Sequence, residues 1–126
     1  MRNRLIGFGF VVVVLAVAAV GCGGSSNTYS CNFAASIGLC YDYSSPQALT
    51  AAQVTQLQNA CTAGAAAGAF STTSSCPSAG RVGSCALPNT QMTGVTIKYA
   101  FYSPNYTAAS GQQFCTTTLT GTWTAG

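Results

Sequence analysis

Ile37-Gly38-Leu39-Cys40-Tyr41-Asp42-Tyr43 alternates large apolar residues with small or polar ones, and Val95-Thr96-Ile97-Lys98-Tyr99-Ala100-Phe101-Tyr102 does so again later in the chain. A period of two places Ile37, Leu39, Tyr41 and Tyr43 on one side of an extended strand, and Val95, Ile97, Tyr99 and Phe101 on one side of another. Pro88, Asn89 and Gly94 mark a loop ahead of the second strand, so Val82 to Leu87 and Val95 to Tyr102 are predicted to pair as a hairpin. Both strands run on into Ser-Pro, at Ser45-Pro46 and at Ser103-Pro104.

Around these strands the chain carries one unit twice. Cys31-Asn32-Phe33-Ala34-Ala35-Ser36-Ile37-Gly38-Leu39-Cys40 aligns with Cys76-Pro77-Ser78-Ala79-Gly80-Arg81-Val82-Gly83-Ser84-Cys85, each with eight residues between its cysteines. After the Ser-Pro come Thr50-Ala51-Ala52 and Thr107-Ala108-Ala109, then Cys61 and Cys115. Each unit closes on Gly68-Ala69-Phe70-Ser71 or Gly121-Thr122-Trp123-Thr124. Shared order among cysteines, prolines and aromatics favours duplication over coincidence in an Ala/Gly/Ser/Thr-rich sequence. The units span 31–75 and 76–126, and the loop before Val95 is an insertion that the first lacks.

Helix signals follow each Ser-Pro. Thr50 with Gln53 three residues later reads as a capping box, Leu49 and Val54 as a hydrophobic staple, and Gly64 as a stop. Val54, Leu57 and Cys61 share one face. The second helix, from Thr107 to about Thr117, is shorter and weakened by Gly111.

The N-terminus reads as an export signal. Arg2 and Arg4 precede an apolar run from Leu5 to Val20, and small residues lead into Cys22 through Ala19-Val20-Gly21. The segment resembles a bacterial lipobox, with Ala19 standing where leucine is usual. That resemblance implies cleavage before Cys22, a lipid on its thiol, and residues 22–30 as a flexible tether. The competing readings are a membrane-spanning anchor, for which the run falls short of the roughly 20 residues needed, and an ordinary signal cut after Ala18. Gly23 lacks the aspartate that retains enteric lipoproteins in the inner membrane, so the expected destination is the outer membrane.

Six cysteines remain beyond Cys22: Cys31, Cys40, Cys61, Cys76, Cys85 and Cys115. An even set in a small exported domain reads as a disulfide framework. No Cys-x-x-Cys spacing and no histidine supports a zinc site. Three cysteines per unit require at least one bond between units. If one pair type repeats in both units, three frameworks remain: 31–40, 76–85 with 61–115; 40–61, 85–115 with 31–76; or 31–61, 76–115 with 40–85. The second is favoured because it pins each helix to its own strand, although alternation turns Cys40 away from the apolar face.

Asp42, Arg81 and Lys98 are the only charged side chains after the signal. Phosphate affinity needs clustered Lys and Arg, so no nucleic-acid partner is expected. With no histidine, no glutamate and one aspartate, neither a Ser-His-Asp triad nor a carboxylate pair can be assembled. A Ser-Lys dyad using Lys98 lacks any accompanying nucleophile motif. Asn105-Tyr106-Thr107, a glycosylation sequon by pattern, is read as the segment leading into the second helix. Tyr41, Tyr43, Tyr99, Phe101, Tyr102, Tyr106 and Trp123 are the pool from which a platform for sugar rings or a peptide strand could be drawn.

With Cys76-Pro77, Arg81-Val82-Gly83-Ser84-Cys85, the six cysteines and the aromatic closing strand in view, the chain is similar to small cysteine-rich lipoproteins of Gram-negative bacteria that have no assigned activity. The expectation is a single α+β domain over 31–126, with a small, mostly antiparallel sheet, two short helices and three disulfides. Its function is expected to be lipid-anchored and non-enzymatic, in binding or structure, without a cofactor. The membrane is met through the lipid on Cys22, and an envelope protein or glycan is the candidate partner. The alternative is a protease-inhibitor-like module presenting Pro88 to Gly94.

Overall fold

A computed structural model of the chain describes residues 27–63, 66–88, 92 and 94–126. In chain order the elements are β1 (Asn27–Phe33), α1 (Ala34–Ile37), β2 (Leu39–Ser45), α2 (Ala51–Thr62), β3 (Ala69–Ser71), β4 (Arg81–Ala86), β5 (Thr96–Tyr102), α3 (Ala108–Gln113) and β6 (Thr122–Ala125). A π-helical turn, Phe114–Thr118, extends α3. The strands make one sheet in the order β3-β1-β2-β5-β4-β6, antiparallel at every step. With its three disulfides this is a small, disulfide-stapled α+β fold.

Alternation predicts both central strands well. Leu39, Tyr41 and Tyr43 of β2 and Ile97, Tyr99 and Phe101 of β5 point to the side that carries α2 and α3. Ile37 departs from the expectation: it ends α1, is 38% exposed, and is separated from β2 by Gly38 at φ 71°. That left-handed conformation suits glycine and turns the chain from β1 into β2. The hairpin of β4 with β5 forms as read, with a register shift between Arg81 and Gly83.

The tether over residues 22–30 is corrected in its second half. Asn27 to Ser30 belong to β1, and Tyr29 is buried with Cys31 and Phe33 against α2. The same period of two that marks the later strands runs through Tyr29, Cys31 and Phe33, so the strand begins before the first disulfide cysteine.

The helices α2 and α3 start on capping boxes. The Thr50 hydroxyl accepts from the Gln53 N–H at 3.3 Å, while the Gln53 side chain accepts from the Thr50 N–H at 2.9 Å. Thr107 and Ser110 repeat the exchange at α3. The stop expected at Gly64 lies outside the described residues. Leu49 and Val54 both pack on the core below α2.

The two units are related by a pseudo-twofold axis at the centre of the sheet. Each is a strand pair, a helix and a closing strand, and each closing strand returns to the outer side of its unit's first strand: β3 beside β1, β6 beside β4. One row crosses all six strands on the helix face as Phe70, Cys31, Tyr41, Tyr99, Cys85 and Trp123, every neighbour directly opposite the last. Read from either edge it gives an aromatic ring, a cysteine and a tyrosine.

This row corrects the first part of the repeat alignment. Cys31 corresponds to Cys85, and Cys76 belongs to the chain between the units. The bonds are Cys31–Cys61, Cys40–Cys76 and Cys85–Cys115, and the first and third each span a sequence separation of 30. All three symmetric frameworks are therefore overturned, including the favoured one, of which only Cys85–Cys115 survives. Cys40 has Lys98 at its equivalent position in β5, so it has no symmetric counterpart. Gly68 and Gly121 allow each closing strand to pass its disulfide: a Cβ at Gly68 would stand 2.7 Å from the Cys31 Sγ, and one at Gly121 would run into that of Cys85.

Candidate functional site

Asp42 is the chain's single acidic side chain, and the structure commits it to the fold. It lies on the face of the sheet away from the helices, where the chain linking the units crosses β2 and β5. There Asp42 Oδ1 accepts from the Cys76 N–H at 2.7 Å, and the Tyr102 hydroxyl donates to the Pro77 carbonyl at 2.6 Å. Cys40, Cys76, Ala100 and Tyr102 are buried together beneath that crossing. Burial is the largest influence on Tyr102 and raises its pKa, Asp42 adding to the rise and Arg81 opposing it. Lys98 faces Asp42 across the β2–β5 ladder and is exposed.

The sequence-derived aromatic pool divides three ways. Phe101, Tyr106 and Trp123 enter the core of the second unit, where Phe101 meets Tyr106 edge-on at 5.0 Å and Trp123 at 5.5 Å. Trp123 lies against Gly83 and Gly111, and a Cβ at Gly83 would run into its ring. Tyr102 serves the opposite face. Tyr41, Tyr43 and Tyr99 gather at the centre of the helix face.

That central group is the candidate site. Tyr41 and Tyr99 stack at 4.4 Å between ring centroids with 27° between their planes, and Phe33 leans on Tyr41 at 5.5 Å. Tyr41 and Tyr99 are half-buried, because α2 covers the first unit and α3 the second and neither spans the axis. Burial raises the pKa of Tyr41, Tyr43 and Tyr99, with Tyr43 pushed up to about 12; neighbouring phenols add to the rise at Tyr41 and Tyr43. The cluster thus offers aromatic faces and neutral hydroxyls. Such groups hold uncharged rings and hydrogen-bonding partners by stacking and do not transfer protons near neutral pH.

Two concavities lie at opposite ends of the first unit. One of about 490 Å³ is lined by Asn32, Phe33, Ala34, Ala35, Ser36, Ala67 and Ala69. The other, about 340 Å³, is lined by Ser45 to Leu49, Gln53 and Gly94. Among the described residues no group of three or more His, Cys, Asp or Glu is placed to hold a metal ion. Cys22 lies outside the described residues, as do Asn89, Thr90, Gln91 and Thr93 of the loop assigned to protease inhibition. Sequence reasoning missed Tyr29 and Phe33 as partners of the tyrosine cluster, although their alternation with Cys31 was there to find. Comparison with protein-family models, with curated proteins and with solved structures finds no match to this chain.

Proposed function

We propose that this is an envelope protein, cleaved before Cys22 and held in the membrane by lipid on that thiol, with a non-enzymatic binding or structural role. The observation that carries the reading is the cysteine inventory. The chain has seven cysteines, and six of them are bonded to one another. Cys22 is therefore left without a partner in its own chain, directly after the small residues of an export signal. Three disulfides fit an exported, non-cytoplasmic protein, and two or three acyl chains at about 0.8 kcal/mol per buried methylene hold such an anchor in place.

The outer membrane is the destination the residue at Gly23 favours. The partner this protein suits is uncharged, a glycan or another envelope protein, met at the half-buried tyrosines where the two units join. Cells fed an alkyne fatty acid should label the wild-type protein and leave Cys22→Ser unlabelled. Label retained on Cys22→Ser, or no label on the wild type, overturns the anchor.

A further inference from the structure

We infer that the membrane is the surface against which one particular end of the sheet rests: the end formed by Asn27, Ser45 to Leu49, Leu87 and Pro88. This rests on anchoring through Cys22 and adds an orientation to it. The registers define the end. Asn27 pairs with Ser45 and Ser44 with Thr96, and past the end of β4 the Leu87 N–H donates to the Ile97 carbonyl at 3.1 Å. The concavity lined by Ser45 to Leu49, Gln53 and Gly94 opens there.

Covalent length restricts how the domain can sit. Only Gly23 to Ser26 separate Cys22 from Asn27. The five Cα steps from Cys22 to Asn27 reach about 18 Å at most. Placing the opposite end on the membrane would lift Asn27 by the length of β1, roughly 20 Å at 3.3 Å per residue, plus the turn of α1 beyond it. The backbone of the tether falls short of that height, and the Cys22 side chain with its glyceryl would close the gap only with every link fully stretched. Distal contact is thereby disfavoured, which leaves the proximal end or a broad face of the sheet.

Charge and exposed side-chain amides decide between those. Arg81 pairs with Tyr102 at the distal end, and Asp42 and Lys98 face each other near the middle of the sheet. No charged side chain stands at the proximal end among the described residues, where Pro46 and Ala48 are exposed and Leu49 and Leu87 half-buried. Bringing this end to the lipid interface removes no charge from water, whereas laying the open face down would desolvate Asp42 and Lys98, and laying the uncharged helix face down would desolvate the exposed amides of Gln56, Gln58, Asn59, Gln112 and Gln113. The distal end, with Ile37 and the concavity beside Phe33, is then presented away from the membrane.

The test uses the full mature lipoprotein purified from membranes and placed in phosphatidylethanolamine–phosphatidylglycerol vesicles with brominated acyl chains. A fluorescent amino acid introduced by codon suppression at Gln47, Ile37 or Lys98 leaves every disulfide untouched. Fluorescence should be lost at position 47 and retained at 37 and 98. Equal loss at all three, or greater loss at 37 or 98, overturns the orientation. Failure of the wild-type protein to float with the vesicles overturns anchoring and orientation together, while flotation with a different quenching order overturns the orientation alone. Inserting about 30 Gly/Ser residues after Ser26 gives a reach of roughly 30 Å and should abolish the difference. A preference that survives the insert overturns the short tether as its cause.

Discussion

Tyr41 and Tyr99 stack on each other, and each holds in its own half of the molecule the position the other holds in the second. The pseudo-twofold axis passes between their rings. Tyr41 packs against the buried residues of both halves, so the stack joins two small cores into one. Each core is built on one strand-to-helix disulfide.

Those two disulfides are expected to contribute equally. Cys31–Cys61 and Cys85–Cys115 close loops of the same sequence separation, 30, and Cys40–Cys76 closes one of 36. Loop-closure entropy assigns about 3–4 kcal/mol to each. Urea denaturation of the three Cys-to-Ala pair variants should give matching losses. A difference beyond about 1.5 kcal/mol between the first and third would mean that native packing, and not the loop, sets their contribution.

Gly83→Ala should destabilise through Trp123. A methyl at Gly83 meets the indole, and crowding of this kind costs about 1–3 kcal/mol. The corresponding pair in the first unit is Tyr29 with Phe70, where volume stands on the first strand and the closing strand carries the smaller ring. Trp123→Phe made with Gly83→Ala should therefore recover part of the loss. A double-mutant cycle by chemical denaturation reads the coupling, and strict additivity would show that the two do not touch.

Asp42→Ala removes the acceptor for the Cys76 N–H and should cost about 1–3 kcal/mol, the penalty for an amide left unpaired as the link crosses the sheet. Asp42→Asn keeps an oxygen there and should lose much less. Thermal melts of the two variants against wild type are the measurement. Equal losses would assign the role of Asp42 to its charge.

Alkaline pH should unfold the protein through its tyrosines. Burial raises Tyr41, Tyr99 and Tyr102 above the ordinary value of 10.0 and Tyr43 to about 12. A phenol with the higher pKa in the fold keeps its proton there while the unfolded chain loses it, so stability falls as pH rises. The contribution is complete below about pH 10, the unfolded value, and is lost as pH climbs through about 12. Urea midpoints should be flat from neutrality to about pH 9 and then decline. Tyr43→Phe should flatten that decline.

The elements whose signal is local were legible in the sequence. Alternation over Leu39 to Tyr43 and Ile97 to Phe101 placed the central strands, and Thr50 with Gln53 placed the start of α2. The closing Gly-x-aromatic segments were matched correctly between units. The disulfides were not, because the eight-residue spacing of Cys31 to Cys40 and Cys76 to Cys85 imitates an equivalence that strand pairing denies. The true signal was the equal separation of Cys31 from Cys61 and of Cys85 from Cys115. The tyrosine site was legible as a pool of residues but not as a place, since which tyrosines meet depends on the β2–β5 register, a contact between units that no local pattern encodes.

The interleaving of the first two disulfides has a consequence for biogenesis. A chain threaded N-terminus first across a membrane delivers Cys31, then Cys40, then Cys61, then Cys76 to the oxidising side. Joining thiols in order of arrival closes Cys31 to Cys40, whereas the native bonds are Cys31–Cys61 and Cys40–Cys76. Reaching them requires a thiolate to attack and re-sort that early bond. In contrast, Cys85–Cys115 joins cysteines that arrive consecutively. On that route the amino-terminal half reaches its native bonds only after reshuffling, the step a disulfide isomerase catalyses, while pairing in order of arrival already gives the native bond of the carboxyl-terminal half.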